Sequence, residues 1–158
     1  MEHHRSIVRT SEMTQPIRIV RILTRLNIGG PAIHAALLAT RLDPARFRTC
    51  LVVGAPDATE GDLSDLIDPA RSTLIRLAAL RRPIHPWRDM VAFIGILRVL
   101  WRERPHIIHT HMAKAGTLGR LAGLLYNGCG PGRARGQRAM LLHTFHGHVL
   151  EGYFPLWL

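Results

Sequence analysis

The sequence predicts an α/β fold, a doubly wound parallel sheet with helices on both faces. Short β-branched or apolar runs of strand length alternate with longer segments of helical period, the pattern that right-handed crossovers turn into a parallel sheet. At 158 residues, 47% hydrophobic, with a mean hydropathy of +0.07, the chain has the length of one domain and enough apolar side chain to bury such a sheet.

Residues 1–16 are polar, carry His3, His4, Arg5 and Arg9, and show no period, so they read as a disordered tail ahead of one domain over 17–158. Ile17–Leu23, bounded by Pro16 and a polar loop, reads as the first and central strand. The loop after it feeds a helix over 31–42. Pro31 suits a first helical position, while Gly29 and Gly30 allow positive φ and close approach of a ligand to the backbone. Residues 49–53 read as a second strand, and the acidic stretch that follows as loop plus a short surface helix.

A third strand over 72–77 precedes a proline-containing break and a long helix over 87–104, where Met90, Phe93, Ile94, Leu97 and Trp101 recur at helical spacing as a core-packing stripe. The stretch 105–116 supplies the fourth strand and the turn beyond it. A helix over 114–126, a glycine- and arginine-rich surface loop over 127–138 and a fifth strand over 139–145 complete the order. Doubly wound logic gives strand order 3-2-1-4-5 and a switch point between strands one and four. The loop holding Gly29 and Gly30 then lies beside the loop holding His111 and Lys114.

The charge is lopsided: 21 Lys+Arg face 11 Asp+Glu, a net +10, and Lys114 is the one lysine. Asp57, Glu60, Asp62, Asp65 and Asp68 share one short stretch, leaving the rest of the chain strongly basic. Two readings fit: an anionic partner such as nucleotide phosphates or a membrane's anionic lipids, or arginine-rich usage with no partner. Nucleic acid is not expected. Cys50 and Cys129 form no spaced pair, nothing resembles a secretory signal, and the longest apolar run, within 90–101, is too short to span a bilayer. These features predict a cytoplasmic protein, with peripheral association at the inner face of the membrane as its extension.

In the fourth strand His109 and His111 share one face and Thr110 takes the other. His111, nearest the C-terminal end, is the candidate site residue; His109 reads as a hydrogen-bonded core histidine. Lys114 opens the next helix, where free amides and the dipole favour a phosphate. Gly116, Gly119 and Gly123 form a side-chain-free strip suited to close helix-on-sheet packing. His109, His111, His146 and His148 are the chain's candidates for a metal, but parallel strands splay them and no carboxylate or thiolate completes a set, so no metal is expected. No Gly-x-Gly-x-x-Gly follows the first strand, no acid ends the second, and there is neither a Walker motif nor a placed pair of carboxylates.

Three segments, Asn27–His34, His109–Ala122 and His143–His148, resemble, in order, the N-terminal domain of glycosyltransferase family 4. The resemblance implies a Rossmann-like domain forming the N-terminal half of a GT-B fold, retaining and metal-independent, that takes a nucleoside-diphosphate sugar as donor and a polysaccharide or glycolipid as acceptor, with no cofactor. It further implies that Gly29 and Gly30 approach the donor phosphates, that His34 faces the cleft, that His111 sits near the transferred sugar, and that His146 and His148 line the acceptor side. Because the sequence stops at Leu158, the donor-binding domain and its paired glutamates are expected to be absent and this chain alone inactive. The alternatives are a nucleotide-sugar epimerase on the same fold and a stand-alone anion-binding or membrane-peripheral module.

Overall fold

The computed structural model describes residues 15–55 and 61–146. Five parallel strands, β1 (Ile17–Leu23), β2 (Phe47–Gly54), β3 (Ser72–Leu77), β4 (Ile107–His111) and β5 (Met140–Thr144), lie in the order β3-β2-β1-β4-β5. The helices are α1 (Gly30–Thr40), α2 (Pro86–Glu103), α3 (Ala113–Cys129) and the short α4 (Pro131–Ala134), with one 3₁₀ turn at Ser64–Leu66. The predicted strand order and its switch point between β1 and β4 are therefore present. The predicted 127–138 loop differs: the end of α3 and all of α4 occupy much of it, because the helix continues through Cys129 and Pro131 starts a new turn. Of the predicted tail, residues 1–14 lie outside the described residues.

The sheet has an apolar core on each face. Val20, Ile22, Val52 and Ile108 pack with Ile96 and Leu100 of α2 and Ala122 and Tyr126 of α3 on one side. Leu23, Leu51 and Val53 pack with the alanines Ala32, Ala35, Ala36 and Ala39 of α1 on the other. Central strands covered on both faces read as near-continuous apolar runs, which is what β1 and β2 are.

The α2 stripe predicted from spacing is present in part: Phe93 and Leu97 pack against the core, half-buried, and the rest of the stripe is displaced. Ala92, Ile96, Val99 and Leu100 are the buried positions, whereas Met90, Ile94 and Trp101 stand 53%, 40% and 38% exposed. The reason is that the core takes the narrower face, where Ala92 and Gly95 let the helix lie close to the sheet; the space at Gly95 is filled by the Leu77 side chain.

The α3 glycine strip packs as predicted. A Cβ on Gly119 would come 2.6 Å from Thr110 Cγ2 and 2.9 Å from Ile22 Cδ1, and one on Gly123 would come 2.5 Å from Leu141 Cδ2. At Gly128, on the same helix, nothing lies within 4 Å. Substituting Gly119→Ala is therefore expected to lower stability by about 1–3 kcal/mol through overpacking. Gly128→Ala should raise it by up to about 1 kcal/mol through helix propensity. Urea denaturation of the two variants tests the contrast, and equal shifts of one sign would refute it.

Candidate functional site

The C-terminal ends of β1 and β4 diverge at the switch point, and the turns leaving them start α1 and α3. Neither helix carries an acid in its first turn or a side-chain cap from its own N-cap residue. At α3 the Thr24 hydroxyl reaches across from the end of β1 and accepts a hydrogen bond from the Ala115 amide at 3.3 Å. At α1, Pro31 brings no N–H, and the first-turn amides have no acceptor within the helix.

Gly29 and Gly30 stand at this opening without the positive φ anticipated for them. Gly29 has φ 163°, an extended conformation open to any residue, and Gly30 already belongs to α1. A Cβ at Gly30 would meet nothing within 4 Å, so what the pair provides is open space above the amides.

Three of the predicted histidines converge. His34 on α1, His111 at the end of β4 and His146 after β5 place their ring centroids 5.1 to 5.9 Å apart. His111 Nδ1 and His146 Nε2 share a hydrogen bond at 2.8 Å. His111 is fully buried, and its Nε2 has no hydrogen-bond partner among the described residues. His146 sits at φ 61° and Met112, next to His111, at φ 63°, left-handed conformations that cost non-glycine residues energy and cluster at functional sites. His148 lies outside the described residues.

Behind this group runs a support that spacing alone did not reveal. Arg21, in mid-β1 and buried, donates from Nη1 to His109 Nδ1 at 2.5 Å. A guanidinium has no acceptor to offer, so His109 Nδ1 accepts, Nε2 holds the ring's proton, and Nε2 donates to Thr144 Oγ1 at 2.8 Å. The His109 ring lies 4.1 Å from that of His111. His109 is thus the hydrogen-bonded core histidine expected of it. The signal for Arg21 was a charge in the middle of a strand whose neighbours Ile19, Val20, Ile22 and Leu23 are all apolar.

Lys114 opens α3, but its ammonium is engaged. It pairs with Asp89 in the first turn of α2 at 2.5 Å and donates to the Pro83 carbonyl at 2.6 Å. These contacts tie the start of α3 to the start of α2, beside a cavity of about 650 Å³ lined by Thr24, Pro31, Met112, Lys114, Phe145 and His146.

Burial favours the neutral imidazole at His109, His111, His143 and His146. Burial, then the neighbouring His109, pushes His111 down to about 3; burial, then Arg21, pushes His109 down to about 4. His146 and His143 are also lowered, chiefly by burial. Imidazoles are metal ligands in principle, and the candidate nitrogens of His34, His111 and His146 lie within 4.8 Å of one another.

With the fold and site in place, the comparisons define the class. The chain belongs to the glycosyl transferase 4-like domain family, which it matches over residues 29–157. Among curated proteins it is 31% identical over 91 residues to the UDP-Gal:alpha-D-GlcNAc-diphosphoundecaprenol alpha-1,3-galactosyltransferase of Escherichia coli, covering 58% of this chain and 21% of that protein. Among solved structures it resembles a protein described as a UDP-N-acetylglucosamine 2-epimerase from Listeria monocytogenes, with TM-score 0.52 and 18% identity over 82% of this chain and 30% of that one. It also resembles sucrose-phosphate synthase from Thermosynechococcus elongatus, with TM-score 0.52 and 17% identity over 83% of this chain and 33% of that one. The chain spans about a fifth of the galactosyltransferase's length. At such identities the two structures speak for the fold, an α/β sheet of the GT-B kind.

The depressed histidines make stability depend on pH. Each binds its proton more readily unfolded than folded, so their contribution is complete above about pH 6.5 and falls as pH drops toward about 4 and then 3. Thermal melts should therefore show Tm falling steadily below pH 6.5, with a shallower slope in His111→Asn; a wild-type Tm flat across that window would contradict the assignment.

Proposed function

We propose that this chain is the N-terminal, acceptor-side part of a glycosyltransferase that moves a sugar from a nucleoside-diphosphate sugar to a lipid-linked or polysaccharide acceptor. The observation that carries this reading is the fully buried His111, whose Nε2 has no partner among the described residues, set among His34 and His146 beside the open N-terminus of α1. In this reading Nε2 takes a hydroxyl of the transferred sugar, and the covering rings of His34 and His146 shift to admit it. The diphosphate gains negative charge as its bond to the sugar breaks, and the amides around Gly29 and Gly30 with the α1 dipole stabilise that charge. Lys114 contributes through the α3 N-terminus it anchors. His146, and His148 beyond it, belong to the acceptor side.

The named relative supports UDP-galactose as donor and a GlcNAc-diphosphate-polyprenol as acceptor. A lipid acceptor agrees with the surface at the start of α2, where Ile84, Trp87 and Met90 are exposed among Arg81, Arg82 and Arg88, a composition suited to resting on an anionic bilayer. No helix among the described residues is long and apolar enough to cross a membrane.

No metal takes part in the proposed reaction. His111 Nδ1 and His146 Nε2, 2.8 Å apart, already satisfy one another. Two nitrogens on one tetrahedral zinc stand about 3.3 Å apart, so a metal has to break that bond. The protein at its natural length, incubated with UDP-galactose and a GlcNAc-diphosphate lipid, is expected to form a galactosylated lipid. In His111→Ala the rate should fall by about a hundredfold, the scale of losing one polar contact to the transition state. Release of free altered sugar would replace transfer by epimerisation. Metal analysis of untagged protein is expected to find no stoichiometric zinc, and finding it would overturn the metal-free assignment.

A further inference from the structure

A second concentration of charge sits at the opposite end of the sheet, where the strands begin. A cavity of about 750 Å³ opens there, and five arginines line it: Arg18 at the start of β1, Arg48 at the start of β2, Arg102 and Arg104 at the end of α2, and Arg135 beyond α4. Glu103 is the one carboxylate in its wall, and Arg102 Nε already holds it at 2.8 Å. Arg18 Nε donates to the Arg104 carbonyl at 2.8 Å. Among the described residues, the guanidiniums of Arg48, Arg104 and Arg135 make no hydrogen bond or ion pair.

The local backbone accounts for part of this charge. The C-terminus of α2 turns its carbonyls toward this edge, and that partial negative charge favours Arg102 and Arg104. It does not account for Arg48 and Arg135, which arrive from β2 and from the segment after α4. His106 adds a neutral polar group: its Nδ1 accepts from the Arg18 amide at 3.0 Å, leaving Nε2 as a donor.

We infer that this cavity binds a soluble, multiply charged phosphate, a diphosphate or nucleoside polyphosphate. Several guanidinium forks from separate elements around one cavity suit an anion with oxygens on more than one phosphorus. The site is separate from the histidine cluster. The strands between them put the two ends of the sheet about 20 Å apart, too far for one diphosphate to span. The apolar start of α2 lies about 27 Å from its arginine-bearing end, so a bilayer touching Trp87 leaves the cavity facing water.

Calorimetry of the full chain with inorganic pyrophosphate at low ionic strength tests the inference. Binding is expected, with affinity falling at least about tenfold in Arg48→Gln/Arg135→Gln and little changed in Arg81→Gln/Arg88→Gln, which removes the same charge at the far end of α2. Circular dichroism confirms that both variants keep the fold, and all four side chains are exposed. Absence of pyrophosphate binding, or equal weakening in both double variants, overturns the site in favour of diffuse charge. Binding to phosphatidylglycerol vesicles that weakens in Arg48→Gln/Arg135→Gln overturns the soluble assignment in favour of a lipid headgroup. Because the readout is binding at the far edge, it is independent of whether sugar transfer occurs.

Discussion

A guanidinium inside a sheet can draw only on the sheet for partners, and Arg21 finds one for Nη1 while its buried Nε has none among the described residues. Arg21 sits in the central strand with helices over both faces, where an uncompensated charge costs several kcal/mol. Burial pulls it down to about 10, still cationic at neutral pH. His109 on the adjacent strand supplies the acceptor, and that choice propagates: the ring's remaining proton goes to Thr144 on the third strand along, and the ring face sets the position of His111. One buried charge thereby fixes the tautomer and the register of three strands at the floor of the site. Burial, with Arg21 nearby, also favours the neutral forms of His109 and His111, which suits the sugar contact proposed for His111.

The division of labour around the switch point follows. In the proposed reaction, anion stabilisation is left to backbone amides at the start of α1, which need no titratable side chain. The sugar contact proposed above is left to imidazoles. The lone lysine, placed at a helix start where a phosphate ligand is plausible chemistry, instead bridges two helices through Asp89 and the Pro83 carbonyl.

Much of this was legible in the residues. The alternation of runs fixed the strand order, and period two put His109 and His111 on one face. Gly116, Gly119 and Gly123 announced close packing because glycine has little other reason to sit inside a helix. What escaped were contacts between positions far apart in sequence. Nothing in the spacing says that Asp89 in the first turn of α2 meets Lys114, or that Arg21 meets His109, since both depend on how crossover helices and strands settle in space. Of the α2 stripe only Phe93 and Leu97 held, for a related reason: several apolar arcs of that helix fit helical spacing, and only the shape of the sheet beneath selects the arc with Ala92 and Gly95. Gly29 misled because glycine permits left-handed backbone without requiring it.

Thr24 has a larger part than its size suggests. Its hydroxyl takes the Ala115 amide and its carbonyl takes the Gly54 amide at 3.1 Å, so the ends of β1 and β2 and the start of α3 are riveted at one residue. A Cβ on Gly54 would come within 2.5 Å of that carbonyl, which leaves no slack in the joint. The floor of the cleft is consequently stiff. In the proposed reaction, accommodation of differently shaped sugars falls to the parts outside this joint, the segment from Arg81 to His85 and the turn that carries Phe145 and His146. Lys114 holds the first at the Pro83 carbonyl, and one hydrogen bond ties the second to His111. Divergence in donor or acceptor preference among related chains should therefore be written in those two rims, while the joint beneath stays the same.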